Sequence, residues 1–458
     1  MFRMERVTYR ENGIECLTDC NLQIFSGEIL GLIPLNSNGL SSLLDVMTQN
    51  LPLEFGFVFL REKKINSWHY PHPRHNPVGL IQSKSQLVEG LSLAENVFVL
   101  RRGFRSRFIQ SRLLRDQLQP FFEKIDVDIP PESYPENLGI FQRIIVELIR
   151  AIVAGYHLII LYDVSTFLNE KELESLHRVL RQCAQEGYSF LYIGSQPEDL
   201  YGIADRISVF SNGCILKTVE EKDSLQEILD NTRIQEEIPD SYNNSESDGA
   251  AILRVENLAL GNMEALSFQL HPGECIAVQD VDNRNNNLLI QILLGEHMPD
   301  SGKIWLHDQP FSPGGNRELA IIQEQPTKTM LFPELSYFDN LFMTSDHEIP
   351  HLWRNRRMQQ RLAKEYEKRT GKELFERSVD SLSEQEKFEL VYNRIILQHP
   401  SVVICIHPFT GTDMELRALI RQLLSQMRQK QIAVILITAN ATETVGIADR
   451  MIRVHTLT

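Results

Sequence analysis

The chain has 458 residues, more than one ordinary hydrophobic core accommodates, so two domains are expected. Hydrophobic residues make up 42% and charged residues 23%, the balance of a globular chain, and no apolar run reaches the roughly 18 residues that span a bilayer. The net charge of −15 argues against nucleic acid as a general partner, because phosphate backbones call for a basic face.

In chain order, CNLQI (20–24) alternates as a half-buried strand does. EILGLI (28–33) is a short continuous apolar run, read as a buried strand. It leads into GLIPLNSNGLSSLL, Gly31 to Leu44, which has the length and flanks of a phosphate-binding loop followed by a helix. A helical middle follows, then the apolar strands HLIILY (157–162) and YSFLYIG (188–194) with a helix between them. Residues 226–250 are acidic and polar, end in Asn, Ser, Asp and Gly, and read as a linker. The order then begins again with ECIAV (274–278), a helical run PHLWRNRRMQQRLAKEYEKR (350–369), SVVICI (401–406) and IAVILIT (432–438). Short buried strands alternating with helices imply a parallel sheet covered on both faces.

The strongest internal signal is a repeat. Gly202-Ile203-Ala204-Asp205-Arg206 recurs unchanged as Gly446-Ile447-Ala448-Asp449-Arg450, and Gly27-Glu28 recurs as Gly273-Glu274. The expected organisation is a first domain over 1–225, the linker over 226–250, and a second domain over 251–458. Six scattered cysteines (16, 20, 183, 214, 275, 405) read as reduced structural thiols. No amino-terminal signal pattern is seen, so a cytoplasmic place is expected.

Both halves resemble ATP-binding cassette domains, and the tandem order is similar to the ATPase subunit of bacterial ribose- and galactose-type importers. The resemblance rests on SGEILGLI, LVEGLSLAENVFV, IVELIRAI, HLIILYDVSTFLNEKE and GIADRISVFSNGCI in the first half. In the second half it rests on HPGECIAV, SGKIWL, LSEQEKFELVYNRIILQHPSVVICIHPFTGTD and GIADRMIRV. It implies an α/β fold of two tandem nucleotide-binding domains. Each would have a phosphate-loop-like, mostly parallel core sheet, an antiparallel β part and a helical subdomain.

The resemblance also shows which positions have changed. The family's phosphate loop uses glycines, a lysine for the phosphates and a Ser/Thr for magnesium. In the first half its glycine positions fall on Pro34, Ser37 and Gly39, its lysine on Leu40 and its magnesium ligand on Ser41, with Ser42 next. In the second half Asn283 and Asn285 replace glycines, Asn286 replaces the lysine and Asn287 follows, with Asp280 and Asp282 adding negative charge. The metal carboxylate and the water-polarising base fall on Tyr162 and Asp163, and on Ile406 and His407. Asp163 is a candidate shortened base, and His407 reads as a packed or solvated histidine.

The signature loop, which needs glycine for close approach at a helix terminus, carries Phe141 in one half and Glu384-Gln385 in the other. The sensing glutamine falls on Ser83, one residue from Gln82, and the switch histidine on Ser195. Because the family's sites are composite, Leu40 and Tyr162 would face Glu384-Gln385, and Asn286 and Ile406 would face Phe141.

Loss of this many preorganised groups implies negligible hydrolysis, since removing one such group typically costs about 2.7–4 kcal/mol of transition-state stabilisation. The expectation is a pseudo-ATPase with no cofactor, no metal and no catalytic residue. It would act by binding a sugar permease through Ser83 to Asn96, peripheral to the inner face of the cell membrane only through that partner. The alternative is a divergent but active importer subunit that uses ATP and magnesium. A third reading is a regulator whose altered clefts take another small molecule.

Overall fold

The computed structural model describes residues 1–11, 13–66, 75–99, 111–220, 250–280, 286–294, 297–311, 317–344 and 377–455, with 225, 227, 228, 357–362 and 364. The chain divides into two compact units. One comprises Met1–Gln235 with Thr412–Glu415, the other Glu236–Gly411 with Leu416–Thr458. Nearly all of the expected linker, and most of the expected helix over 350–369, lie outside the described residues.

In the first half, β1 (Phe2–Glu11), β2 (Ile14–Ile24), β4 (Phe55–Leu60) and β5 (Lys63–Lys64) form an antiparallel sheet in the order β2-β1-β4-β5. Burial along β2 alternates, so one face packs inward and the other meets solvent. The second sheet has the order β10-β9-β3-β8-β7-β6, from β3 (Ile29–Pro34), β6 (Val78–Gln82), β7 (Leu158–Tyr162), β8 (Ser189–Ile193), β9 (Arg206–Ser211) and β10 (Cys214–Val219). All six residues of β3 are buried, as a strand flanked on both sides by parallel neighbours requires. Helices α1 (Leu40–Thr48), α2 (Leu93–Phe98), α3 (Ser111–Lys124), α4 (Ile140–Val153) and α5 (Glu170–Gln185) belong to this half. Asn169 caps α5, accepting the Glu172 N–H at 2.9 Å.

The second half repeats the plan. Strands β11 (Leu253–Ala259), β12 (Leu266–Leu270), β14 (Ser301–Leu306) and β15 (Gln309–Pro310) form the sheet β12-β11-β14-β15. Strands β13 (Cys275–Asp280), β16 (Leu319–Ile322), β17 (Val402–Ile406), β18 (Ala433–Thr438) and β19 (Arg450–Val454) form β16-β17-β18-β13-β19. The central strand β13 pairs in parallel with β18 and β19, as β3 does with β8 and β9. Helices α6 (Asn286–Leu294), α7 (Tyr337–Phe342), α8 (Glu384–Leu397) and α9 (Met414–Gln429) follow.

The repeated pentapeptide has a structural reason. Asp205 accepts the Ile29 N–H at 2.9 Å, and Asp449 accepts the Cys275 N–H at 2.9 Å. Arg206 pairs with Glu28 at 2.7 Å, and Arg450 with Glu274 at 2.6 Å. Arg181 and Arg428 hold the same two aspartates at 2.6 and 2.7 Å. Each half thus pins the start of its central strand with one aspartate and one Arg–Glu pair, which needs Gly-Glu and Asp-Arg at matched places.

Candidate functional site

The first loop joins β3 to α1. Pro34 ends the strand and Leu40 opens the helix. In the second half Asp280 ends β13 and Asn286 opens a helix of the same nine-residue length. Residues 281–285, with Asp282, Asn283 and Asn285, lie outside the described residues, as do the side chains of Asn286 and Asn287.

Leu40 is 4% exposed and lies in the apolar cluster with Leu30, Leu43, Leu44 and Met47. Residues 40, 43, 44 and 47 form the i, i+3, i+4, i+7 stripe of an amphipathic helix, so α1 draws Leu40 into its own core. Ser42 is buried and Ser41 exposed. Gly39 has φ +82°, and a Cβ there would overlap the Cys16 carbonyl oxygen and crowd Gly213. Its missing side chain therefore serves close packing of loop against strand.

The loop is also bonded to the β9–β10 turn. Asn36, buried, donates to Ser211 Oγ at 3.0 Å and accepts the Asn212 N–H at 3.0 Å. The Leu35 N–H donates to the Phe210 carbonyl at 2.9 Å, and the Gly213 N–H to the Asn38 carbonyl at 3.0 Å. Sequence reasoning passed over Asn36, although a short amide inside a loop is a usual way to satisfy backbone groups.

At the ends of β7 and β17 the two halves share one turn. Asp163 and His407 both adopt positive φ, 52° and 43°, and their N–H groups donate to Ile193 and Ile437 carbonyls, each at 3.0 Å. Asp163 is buried and accepts the Thr166 hydroxyl at 2.8 Å. Tyr162 stands beside it, its phenol pushed up to about 12 by burial and then by the neighbouring Asp163 charge. His407 is 8% exposed, and burial pushes its imidazole down to about 4, so it is a neutral packed side chain at pH 7. Gln82 closes β6 and pairs in the ladder with Tyr162, which places Gln82 at the strand end and Ser83 beyond it.

The two signature-like helices begin differently. In α4, Gln142 accepts the Gly139 N–H at 3.2 Å, and Phe141 is half-buried against the apolar cluster of that half. In α8, Ser383 caps the helix by accepting the Glu386 N–H at 3.2 Å, and Glu384 pairs with Lys387 at 2.8 Å. The first turn of α8 thus carries Glu384 and Glu386, which meet the positive end of its dipole from within. Ser195, expected at the switch position, is buried.

The segment Ser83 to Asn96 is tightly built. Ser92 and Glu95 form a capping box at the start of α2. Asn96, fully buried, donates to the carbonyls of Val88, Leu91 and Ser92 and accepts the Val88 N–H at 2.7 Å. Glu147 of α4, also buried, accepts Ser85 Oγ at 2.7 Å and the Gln86 N–H at 2.5 Å, and burial raises its carboxyl. The second half repeats the asparagine staple. Asn340 accepts the Phe332 N–H at 2.9 Å and donates to the carbonyls of Phe332, Leu335 and Ser336. Asn340 and Glu147 were not singled out from sequence, though LSLAEN and LSYFDN are visibly alike.

Two doubled sheets, each with a loop-to-helix step after its central strand, define the ATP-binding cassette class of fold. The family model described as ABC transporter matches residues 17–165. Over 98% of its length the chain is 23% identical to the ribose import ATP-binding protein RbsA of Clostridium tetani, covering 92% of that protein. It is also 23% identical to the galactose/methyl galactoside import ATP-binding protein MglA of Pasteurella multocida, over 96% of this chain and 90% of that one. Among solved structures, the archaeal ribosome recycling factor aABCE1 in complex with stalk protein aP1 aligns with a TM-score of 0.62 at 13% identity. The alignment covers 99% of this chain and 89% of that one, a likeness of fold. The chain has the ATP-binding cassette fold twice in tandem and is similar along nearly its whole length to sugar-import ATP-binding proteins. No helix among the described residues is long and apolar enough to cross a membrane.

Proposed function

We propose that the protein is a non-catalytic tandem cassette that works by binding, with a sugar permease as partner and Ser83 to Asn96 as the docking segment. The observation that carries this is Leu40. Where the family's loop holds a phosphate-binding cation, the side chain is apolar and packed in the core. Tyr162 stands at the metal-carboxylate position, and its phenol stays protonated at neutral pH. Magnesium and a nucleoside triphosphate therefore do not fit the residues of the first loop. The docking segment, by contrast, is held by Asn96, Glu147 and a capping box, as a surface kept for a partner would be. The relatives' names support a membrane-import setting, so the protein would sit at the inner membrane face through its permease.

The second reading, a divergent but working importer subunit, is favoured by one observation: Asp163 keeps a carboxylate at the end of β7. Calorimetric titration with Mg-ATP up to millimolar nucleotide separates the two. The proposal expects no saturable heat and no thermal shift. Saturable binding, followed by turnover that is lost in Asp163→Asn, would establish the second reading instead.

A further inference from the structure

The turn that precedes α2 and the turn that precedes α4 are bonded to each other. The Leu93 and Ala94 N–H groups donate to the Ser133 and Pro131 carbonyls at 3.0 and 3.4 Å. The Gly90 N–H donates to Glu136 Oε1 at 2.6 Å. Val88 and Tyr134, 45% and 46% exposed, thus stand on adjoining turns. Glu89, Glu132 and Glu136 stand beside them in the chain, all exposed. Among the described residues none of these three carboxylates is in an ion pair, and exposed Lys84 pairs with none of them. The nearby arginines are engaged with backbone: half-buried Arg143 and Arg150 donate to the Leu138 and Gln86 carbonyls at 3.1 and 3.0 Å. The surface therefore combines two exposed apolar side chains with an excess of unpaired negative charge.

The duplicated half keeps the framework but not this set. Asn340 accepts the Phe332 N–H as Asn96 accepts the Val88 N–H. The Tyr337 N–H donates to the Arg377 carbonyl as the Leu93 N–H does to Ser133. In that register Phe332, 48% exposed, takes the place of Val88, Pro333 that of Glu89 and Ser378 that of Tyr134. Asp380 matches Glu136, and Arg377 matches Ser133. An exposed apolar side chain at the first place is common to both halves. The acid at 89 and the ring at 134 are not needed for the fold.

We propose that this surface receives a cationic segment of the permease, with an apolar side chain against Val88 and Tyr134 and Lys or Arg against Glu89, Glu132 and Glu136. The inference rests on the permease reading above and extends its docking segment to residues 130–137. Charge complementarity favours this occupant, because cytoplasmic loops of membrane proteins carry an excess of Lys and Arg. Tyr134 adds a ring face on which a guanidinium can stack. The same three carboxylates repel an anionic lipid surface.

The test has two arms, both on the full chain. In the first, a helix-forming Leu/Lys amphipathic peptide and its Leu/Glu counterpart are titrated against the protein by fluorescence anisotropy. The Leu/Lys peptide is expected to bind saturably, more weakly as salt rises. The triple variant Glu89→Gln/Glu132→Gln/Glu136→Gln should weaken it about tenfold, and Tyr134→Ser, the residue of the other half, several-fold. A second triple variant, Glu11→Gln/Glu62→Gln/Glu174→Gln, removes the same charge from exposed acids elsewhere and should bind as wild type does. Circular dichroism should match wild type throughout, since glutamine at 136 still accepts the Gly90 N–H. No binding of the Leu/Lys peptide, equal binding of the Leu/Glu peptide, or equal losses in the two triple variants would overturn the inference.

In the second arm, wild type and the first triple variant are sedimented with inside-out membrane vesicles of the source cells and with protein-free vesicles of anionic phospholipid. Binding to the native vesicles alone, reduced in the variant, is the expected result. Native-vesicle binding that the variant leaves unchanged overturns this inference and spares the permease reading. Equal binding to the protein-free vesicles overturns it in favour of lipid. A wild type that ignores native vesicles overturns the permease reading, and the peptide arm then decides the surface by itself.

Discussion

Leu40 illustrates how one position can serve two demands. As a loop residue it falls where the resemblance puts a cation. As the first residue of α1 it belongs to the stripe 40, 43, 44, 47, and the stripe has won. Leu40→Lys should therefore not create a nucleotide site. It should bury an unpartnered ammonium and lower stability by about 2–3 kcal/mol, read as a fall in the urea midpoint. Mg-ATP calorimetry on the same variant should stay flat, because Tyr162 is unchanged. That the loop carries leucine and no cation at position 40 is legible in the sequence, but the inward direction of its side chain is not. Gly39 falls on a phosphate-loop glycine position by the resemblance. Its packing against the Cys16 carbonyl depends on a contact between residues far apart in the chain, which no local spacing reports.

At the level of elements, the repeat was the most informative part of the sequence, because hydrogen-bonded pins demand specific side chains. The Asp-Arg and Gly-Glu landmarks mark one pin in each half. The buried strands β3, β7, β8, β13, β17 and β18 were legible from their apolar runs, whereas the order of the strands within each sheet was not. Asn96 and Asn340 were harder to see, since a buried amide that bonds only backbone leaves no periodic trace. The two pins are not equally sheltered. Arg428 and Asp449 are 10% and 19% exposed, whereas Arg181 and Asp205 are 41% and 40% exposed. Asp449→Ala should then cost about 3 kcal/mol and Asp205→Ala about 1–2 kcal/mol, because the more buried arginine is left with an unmet charge. Denaturation midpoints of the two variants, measured side by side, check the order; equal losses would contradict it.

On the scale of the whole molecule, the first half holds a half-buried histidine and the second a buried one. Burial pushes His177 in the first half and His407 in the second from the ordinary 6.5 down to about 4. The folded state keeps both neutral, so their contribution is complete above the unfolded value and is lost as pH falls from about 6.5 towards 4. For His407 the loss by pH 4 is on the order of 3 kcal/mol. His407→Leu should flatten the fall in melting temperature across that window, and an unchanged slope would refute the assignment. The central strands carry a further consequence. β3 begins at the pin of Glu28 and Asp205 and ends at Pro34, where the loop opens; β13 runs the same way to Asp280. Parallel sheets bind ligands beyond the carboxyl ends of their strands. What folding requires and what chemistry requires are thus held at opposite ends of one strand, about 20 Å apart. A descendant of this fold can lose its trade at one end and keep its foundations at the other, available for a different employment.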